Sequence, residues 1–175
     1  MNNQSSSQGA PSVPSPGSSL LALGFALILT FGAAAIGGVA TGTSVNSWYL
    51  ELAKPTWNPP GWVFGPVWTL LYTMMAISAW LVWRAAGWKR ARLALGLYLV
   101  QLALNSLWSI LFFGLQRPDW ALAEILALWC AIAATTAAFY RHSRLAAGLM
   151  IPYLAWVSFA SALNLSLWQL NPQVL

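Results

Sequence analysis

Charge is what this sequence has least of. Of its 175 residues only 6% are Asp, Glu, Lys or Arg, against about 25% in an ordinary soluble domain. Glu51, Asp119 and Glu124 are the only acids, set against eight Lys or Arg. So few charges cannot cover a water-facing surface or solvate an unfolded chain. A soluble enzyme, a nucleic-acid-binding module and a disordered protein are therefore excluded together. Cysteine is nearly absent. The single Cys130 allows no intrachain disulfide, and it reads as a small buried apolar residue. The lone His142 lies in a basic loop without partners at ligand spacing, which suits an interfacial group better than a metal ligand. P-loop, zincin and nucleophile-elbow motifs are missing. No metal and no cofactor are expected, and the net charge of +5 reads as topology signals between apolar runs.

What the chain does have is apolar length, with 59% hydrophobic residues gathered into runs almost free of charge. Residues 20–43 would make about 36 Å of helix at ~1.5 Å per residue, more than the ~30 Å hydrocarbon core of a bilayer. Four further runs follow at 61–84, 93–116, 119–140 and 145–170. They are continuously apolar rather than alternating, so a β-barrel is rejected. The expected fold class is an all-α integral membrane protein. A five-transmembrane-helix bundle over residues 20–175 is preceded by a disordered N-terminal tail, 1–19, rich in Ser, Pro, Gly, Asn and Gln. No positive charge precedes the first run and it is too long for a signal-peptide core, so it reads as a retained span. Arg84, Lys89, Arg90, Arg92, Arg141 and Arg144 fall in the second and fourth loops, against Lys54 and Arg117 in the first and third. That asymmetry puts the N-terminus inside and the C-terminus outside.

The first loop, SVNSWYLELAKPTWNPPG (44–61), is stiffened by Pro55, Pro59 and Pro60, and Asn58 is placed to cap the second span. Trp48, Tyr49, Trp57 and Trp62 crowd it. An interfacial aromatic belt and a rigid aromatic lid over a cavity both fit this loop taken alone. In the third span, Gln101, Asn105, Trp108 and Phe112 share one helical face. Buried amides must be paired, either as interhelical hydrogen bonds or across a cavity. Tyr153, Trp156, Ala160, Asn164 and Trp168 share one face of the fifth span, and Trp68 and Tyr72 lie one turn apart in the second. Twelve tryptophans, several of them mid-span, exceed what two belts need. They suggest an aromatic-walled pocket for a flat apolar ligand. The indoles of Trp68, Trp108 and Trp156 and the amide of Asn105 are expected to converge beneath loop 44–61, with Asn105 bonding the ligand. Glu124 lies about one turn into the fourth span, near Arg117 and Asp119, and is expected to be interfacial and partly solvated. Small residues at Ala33/Gly37, Ala34/Gly38 and Gly38/Gly42 suit a close helix contact, within the chain or in a homodimer.

Three stretches, KPTWNPPGWVFGPVWTLLY (54–72), LYLVQLALNSLWSILFFG (97–114) and IPYLAWVSFASALNLSLWQLN (151–171), resemble the signature segments of the TspO/MBR family. The likeness runs from about Leu21 to Asn171. It implies a five-helix bundle, often dimeric, whose cavity is closed by the first loop. It also implies binding of porphyrins, other tetrapyrroles and benzodiazepine-type ligands, and in animal members of cholesterol. By motif match the implied ligand contacts are Tyr49, Pro59, Trp68, Asn105, Trp108, Ser109, Trp156 and Ala160. The sterol pattern fails here, with Leu165 and Gln169 where Tyr and Arg are expected. Sterol binding is not expected, and a bacterial cell-membrane protein is favoured. The leading function is then a receptor or carrier for porphyrins with a regulatory or stress-related role. The alternative is a light- and oxygen-dependent porphyrin-degrading enzyme with Trp68 and Trp156 as its catalytic residues, since the resemblance associates that activity with them. A small multidrug or ion exchanger fits less well, because Glu124 is poorly placed for one. The expected partners are the flat ligand, the lipid bilayer and a second copy of the chain, with no nucleic acid.

Overall fold

The computed structural model describes residues 15–174. Helix α1 (Pro16–Gly42) is followed by a short α2 (Trp48–Glu51) and then by α3 (Gly61–Ser109), which runs into a π-turn, Ile110–Gly114. Helices α4 (Pro118–Tyr140) and α5 (Arg144–Leu170) complete the bundle, and a 3₁₀ turn (Pro172–Val174) ends it. Helix α3 is two spans in one. Its Tyr72 hydroxyl donates to Asn105 Oδ1 at 2.5 Å, although a straight helix would hold these residues about 50 Å apart. The reversal is made at Gly87, with φ 65° and ψ 171°, backbone angles that cost glycine alone nothing. Four helical stretches among the described residues, Pro16–Gly42, Gly61–Gly114, Pro118–Tyr140 and Arg144–Leu170, are long and apolar enough to span a bilayer, and the reversal at Gly87 divides the second of them into two limbs, 61–86 and 88–114, which makes the five expected spans.

The ends differ from expectation in instructive ways. Ser15 caps α1 by accepting from Ser18 N, and Pro16 sits at the first helical position, where its missing N–H costs nothing. The composition that reads as tail up to residue 19 thus contains a helix start, and residues 1–14 lie outside the described residues. No irregular loop separates the second and third spans. The basic residues from Arg84 to Arg92 stay helical up to and beyond Gly87, because charge marks where the chain leaves lipid rather than where hydrogen bonding stops. Asn58 does not cap the second span; Pro60 holds that position and provides no side-chain bond.

Two burial expectations are overturned. Cys130 is exposed on the outside of the bundle, since a span in lipid has apolar residues on its outer face as well as its inner one. Glu124 is not solvated: it is buried, 9% exposed, and neither carboxyl oxygen has a hydrogen-bond partner among the described residues. It shares the inward face of α4 with Ala121, Ile125 and Leu128. Depth along the helix had suggested interface, whereas rotation about the axis decides exposure.

Polar side chains knit the spans together. Thr30 Oγ1 and Tyr98 Oη lie 2.5 Å apart, Ser78 Oγ donates to Ala146 O at 2.6 Å, and Ser106 Oγ donates to Ala33 O at 2.9 Å. One member of the small-residue stripe of α1, Gly37, works within the chain. A Cβ on Gly37 would lie 3.1 Å from Ser109 Oγ, so glycine lets α1 and the second limb of α3 approach closely.

A lidded aromatic cavity

A cavity of about 790 Å³ lies between α1, both limbs of α3, the π-turn and α5, beneath the segment that joins α1 to α3. The π-turn brings Phe112 and Phe113 together on its wall, their rings 4.9 Å apart. Trp108 stacks on Phe112 at 5.1 Å. Its indole N–H donates to Asn164 Oδ1 at 3.1 Å, and Asn164 Nδ2 donates on to Pro118 O at 2.8 Å. On the opposite side Trp68 stacks on Tyr72 at 5.3 Å and meets Trp156 edge-on at 6.4 Å and 85°. Phe64 and Phe159 flank Trp156 at 5.9 and 5.4 Å. Trp68 and Trp156 line the cavity without an indole hydrogen bond to any described residue.

The lid is fastened to the bundle at two places, through Ser44 and Ala53, and braced within itself at a third. Ser44 Oγ donates to Phe113 O at 2.7 Å. Tyr49 Oη donates to Asn58 Oδ1 at 3.1 Å, and Asn58 Nδ2 donates to Pro59 O at 3.0 Å. Asn171, just past α5, accepts from Ala53 N at 2.8 Å and donates to Ala53 O at 2.9 Å. The rings of the loop face both ways. Trp48 and Tyr49 pack inward on Phe112, while Trp62 is 77% exposed, as an interfacial ring is. Burial pushes the Tyr49 phenol up from its ordinary pKa and draws the Lys54 ammonium down.

Of the residues singled out from the sequence, Tyr49, Pro59, Trp68, Trp108, Ser109, Trp156 and Ala160 all line the cavity. Asn105 does not. Its Oδ1 accepts from Tyr72 and its Nδ2 donates to Tyr153 Oη at 3.0 Å, so the amide is spent on two tyrosines, of which Tyr72 lines the cavity and Tyr153 does not. The sequence reading had passed over Phe64, Phe113, Phe159 and Lys54 as cavity residues. Phe64 lies one turn before Trp68 and Phe159 three residues after Trp156, so helical spacing could have found both. Nothing local marks Ser44 or Asn171, whose partners are 69 and 118 residues away.

The lid anchors make a checkable expectation. Asn171→Ala removes both bonds to Ala53 and should loosen the lid without touching the wall. Stopped-flow fluorescence with a cavity ligand should show dissociation at least about fivefold faster, each lost bond being worth ~1 kcal/mol. Unchanged dissociation would mean that the lid is held elsewhere.

Among the described residues that line the cavity there is no carboxylate, histidine or cysteine. The lining is rings, a few polar atoms and one ammonium, the make-up of a small-molecule pocket. Residues 25–169 match the model of the TspO/MBR family. The chain is 43% identical to the tryptophan-rich protein TspO of Archaeoglobus fulgidus over 87% of its own length and 92% of the relative's. It is 42% identical to the tryptophan-rich sensory protein of Cereibacter sphaeroides, covering 84% and 92%. Identity to the translocator protein of Homo sapiens is 48%, over 71% of this chain and 75% of that one. With its five membrane-crossing helices and a match over most of its length, the chain belongs to the TspO/MBR family and is an integral multi-pass membrane protein.

Proposed function

We propose that the protein is a membrane receptor or carrier for porphyrins and related tetrapyrroles, with a regulatory or stress-related role. The observation that carries the reading is the cavity itself. Its volume of about 790 Å³ lies within the ~300–1,000 Å³ of small-molecule sites, and its walls are rings that stack on flat π-systems with ~0.5–1.5 kcal/mol per pair beyond area burial. The test is a titration of purified protein with protoporphyrin in the dark. Saturable quenching of tryptophan fluorescence with a shifted porphyrin spectrum is expected, and a linear, unsaturable response equal to that of empty micelles would refute it.

A second reading, photo-oxidative porphyrin degradation, is favoured by one feature. Trp68 and Trp156 meet edge-on in the wall, so two oxidisable indoles would adjoin a bound, light-excited ring. Under illumination in air, Trp156→Phe is expected to keep binding within a few-fold while most bleaching to product is lost. Equal bleaching in the variant and the parent would remove Trp156 from that chemistry.

The same reading includes a homodimer and a bacterial cell membrane, with the lid and C-terminus outside. Trp57 and Trp88 are 46% and 58% exposed and lie toward opposite ends of the bundle. In a Cys130→Ala background, Trp88→Cys should label only from the cytoplasmic side and Trp57→Cys only from the other. Labelling of both from one side would overturn this orientation.

A further inference from the structure

Among the described residues, Lys54 is the only charged side chain that lines the cavity. It sits in the lid, and the following Pro55 holds its backbone extended. Its Nζ donates to Leu50 O at 3.1 Å and Leu52 O at 3.0 Å and lies 4.9 Å over the Tyr49 ring. An ammonium has three donors, and two are spent on these carbonyls. The third has no protein acceptor among the described residues. No carboxylate neutralises it either, since the one ion pair among the described residues is Arg117 with Asp119. Glu51, three residues away, makes none. The side chain is therefore anchored in position, unneutralised and left with one donor at a mostly apolar chamber.

A positive charge held this way repels a cationic ligand and gains nothing from a neutral one. It would be offset by an anion, through a charge-assisted hydrogen bond and Coulomb attraction in a partly desolvated place. We propose that Lys54 is the specificity group of the cavity. It selects ligands with a flat apolar body and a carboxylate at one edge, seated body-down among the rings with the carboxylate under the lid. This rests on the tetrapyrrole reading and narrows it, because it makes the acid side chains of such a ring, and not only its π-face, part of what is recognised. The competing account is that Lys54 merely closes the end of α2 through Leu50 and Leu52. In that account its charge is irrelevant to the ligand.

The experiment compares protoporphyrin IX with its dimethyl ester, which keeps the ring and masks both carboxylates. Each is titrated against the full chain in the same detergent and read by tryptophan quenching. The two partition differently into micelles, so the quantity read is the ratio of acid to ester affinity and how it changes between variants. The parent and Lys54→Arg are expected to favour the acid by a common ratio. In Lys54→Gln and Lys54→Met that ratio is expected to fall about tenfold, the size of one charge-assisted bond. A ratio equal in the parent and in Lys54→Met overturns the proposal and leaves the tetrapyrrole reading standing. A parallel loss for acid and ester overturns it too, in favour of lid anchoring. Failure of the parent to bind either form overturns both.

Discussion

Ala160→Phe should abolish tetrapyrrole binding while leaving the protein folded. Ala160 lies on α5 one turn beyond Trp156 and lines the cavity beside Phe159 and Leu163. A benzyl group there need not push into a packed core, where overpacking costs ~1–3 kcal/mol, because open volume already lies in front of it. The ring takes the space that a ligand would use. A rigid macrocycle cannot fold itself smaller, so the loss falls on binding rather than on folding. An affinity loss of at least about a hundredfold is expected, or about 2.8 kcal/mol. The apparent melting temperature of the ligand-free protein should stay within a few degrees of the parent or rise. Full affinity in this variant would place the ligand elsewhere on the protein. A folded fraction that collapses would show that the volume before Ala160 is tighter than the structure has it.

How far the sequence could lead is clear from particular residues. The five spans were legible because lipid imposes a length of apolar residues that nothing else in the chain imitates. The wall was legible because helical spacing put Trp68, Trp108, Trp156 and Ala160 on faces that also carried a polar or small residue. Rotation about a helix axis was not legible where both faces are apolar. Cys130, expected inside, is therefore outside, and Glu124, expected at the interface from its depth along the helix, is turned into the bundle. Hydrophobicity sorts core from surface only when the solvent is water. The hinge at Gly87 was hidden for a different reason. The basic stretch around it looked like a loop, and only the backbone angles show two helices meeting at one residue. Lid anchors were beyond reach, because Ser44 and Asn171 act through partners far along the chain.

Asn105 shows most sharply where spacing stops being informative. Its position on the inward face was right, yet a face has depth, and the amide lies one layer behind the cavity wall. The structure therefore gives Asn105→Leu a different expected outcome from that of a ligand contact. The substitution leaves the hydroxyls of Tyr72 and Tyr153 without their shared partner, and Tyr153 is wholly buried. Each orphaned hydroxyl costs ~1–3 kcal/mol, so a destabilisation of about 2–6 kcal/mol and an apparent melting temperature lower by about 10 °C are expected. Porphyrin affinity in the fraction still folded should fall only a few-fold, through the loosened Tyr72 that stacks on Trp68 in the cavity wall. Adding Tyr72→Phe and Tyr153→Phe removes the orphans and should recover most of the lost stability, a non-additivity that neighbours in one network must show. If Asn105→Leu instead keeps the parent's melting temperature and loses binding, the amide touches the ligand after all, and the tyrosine pair is not what it is for.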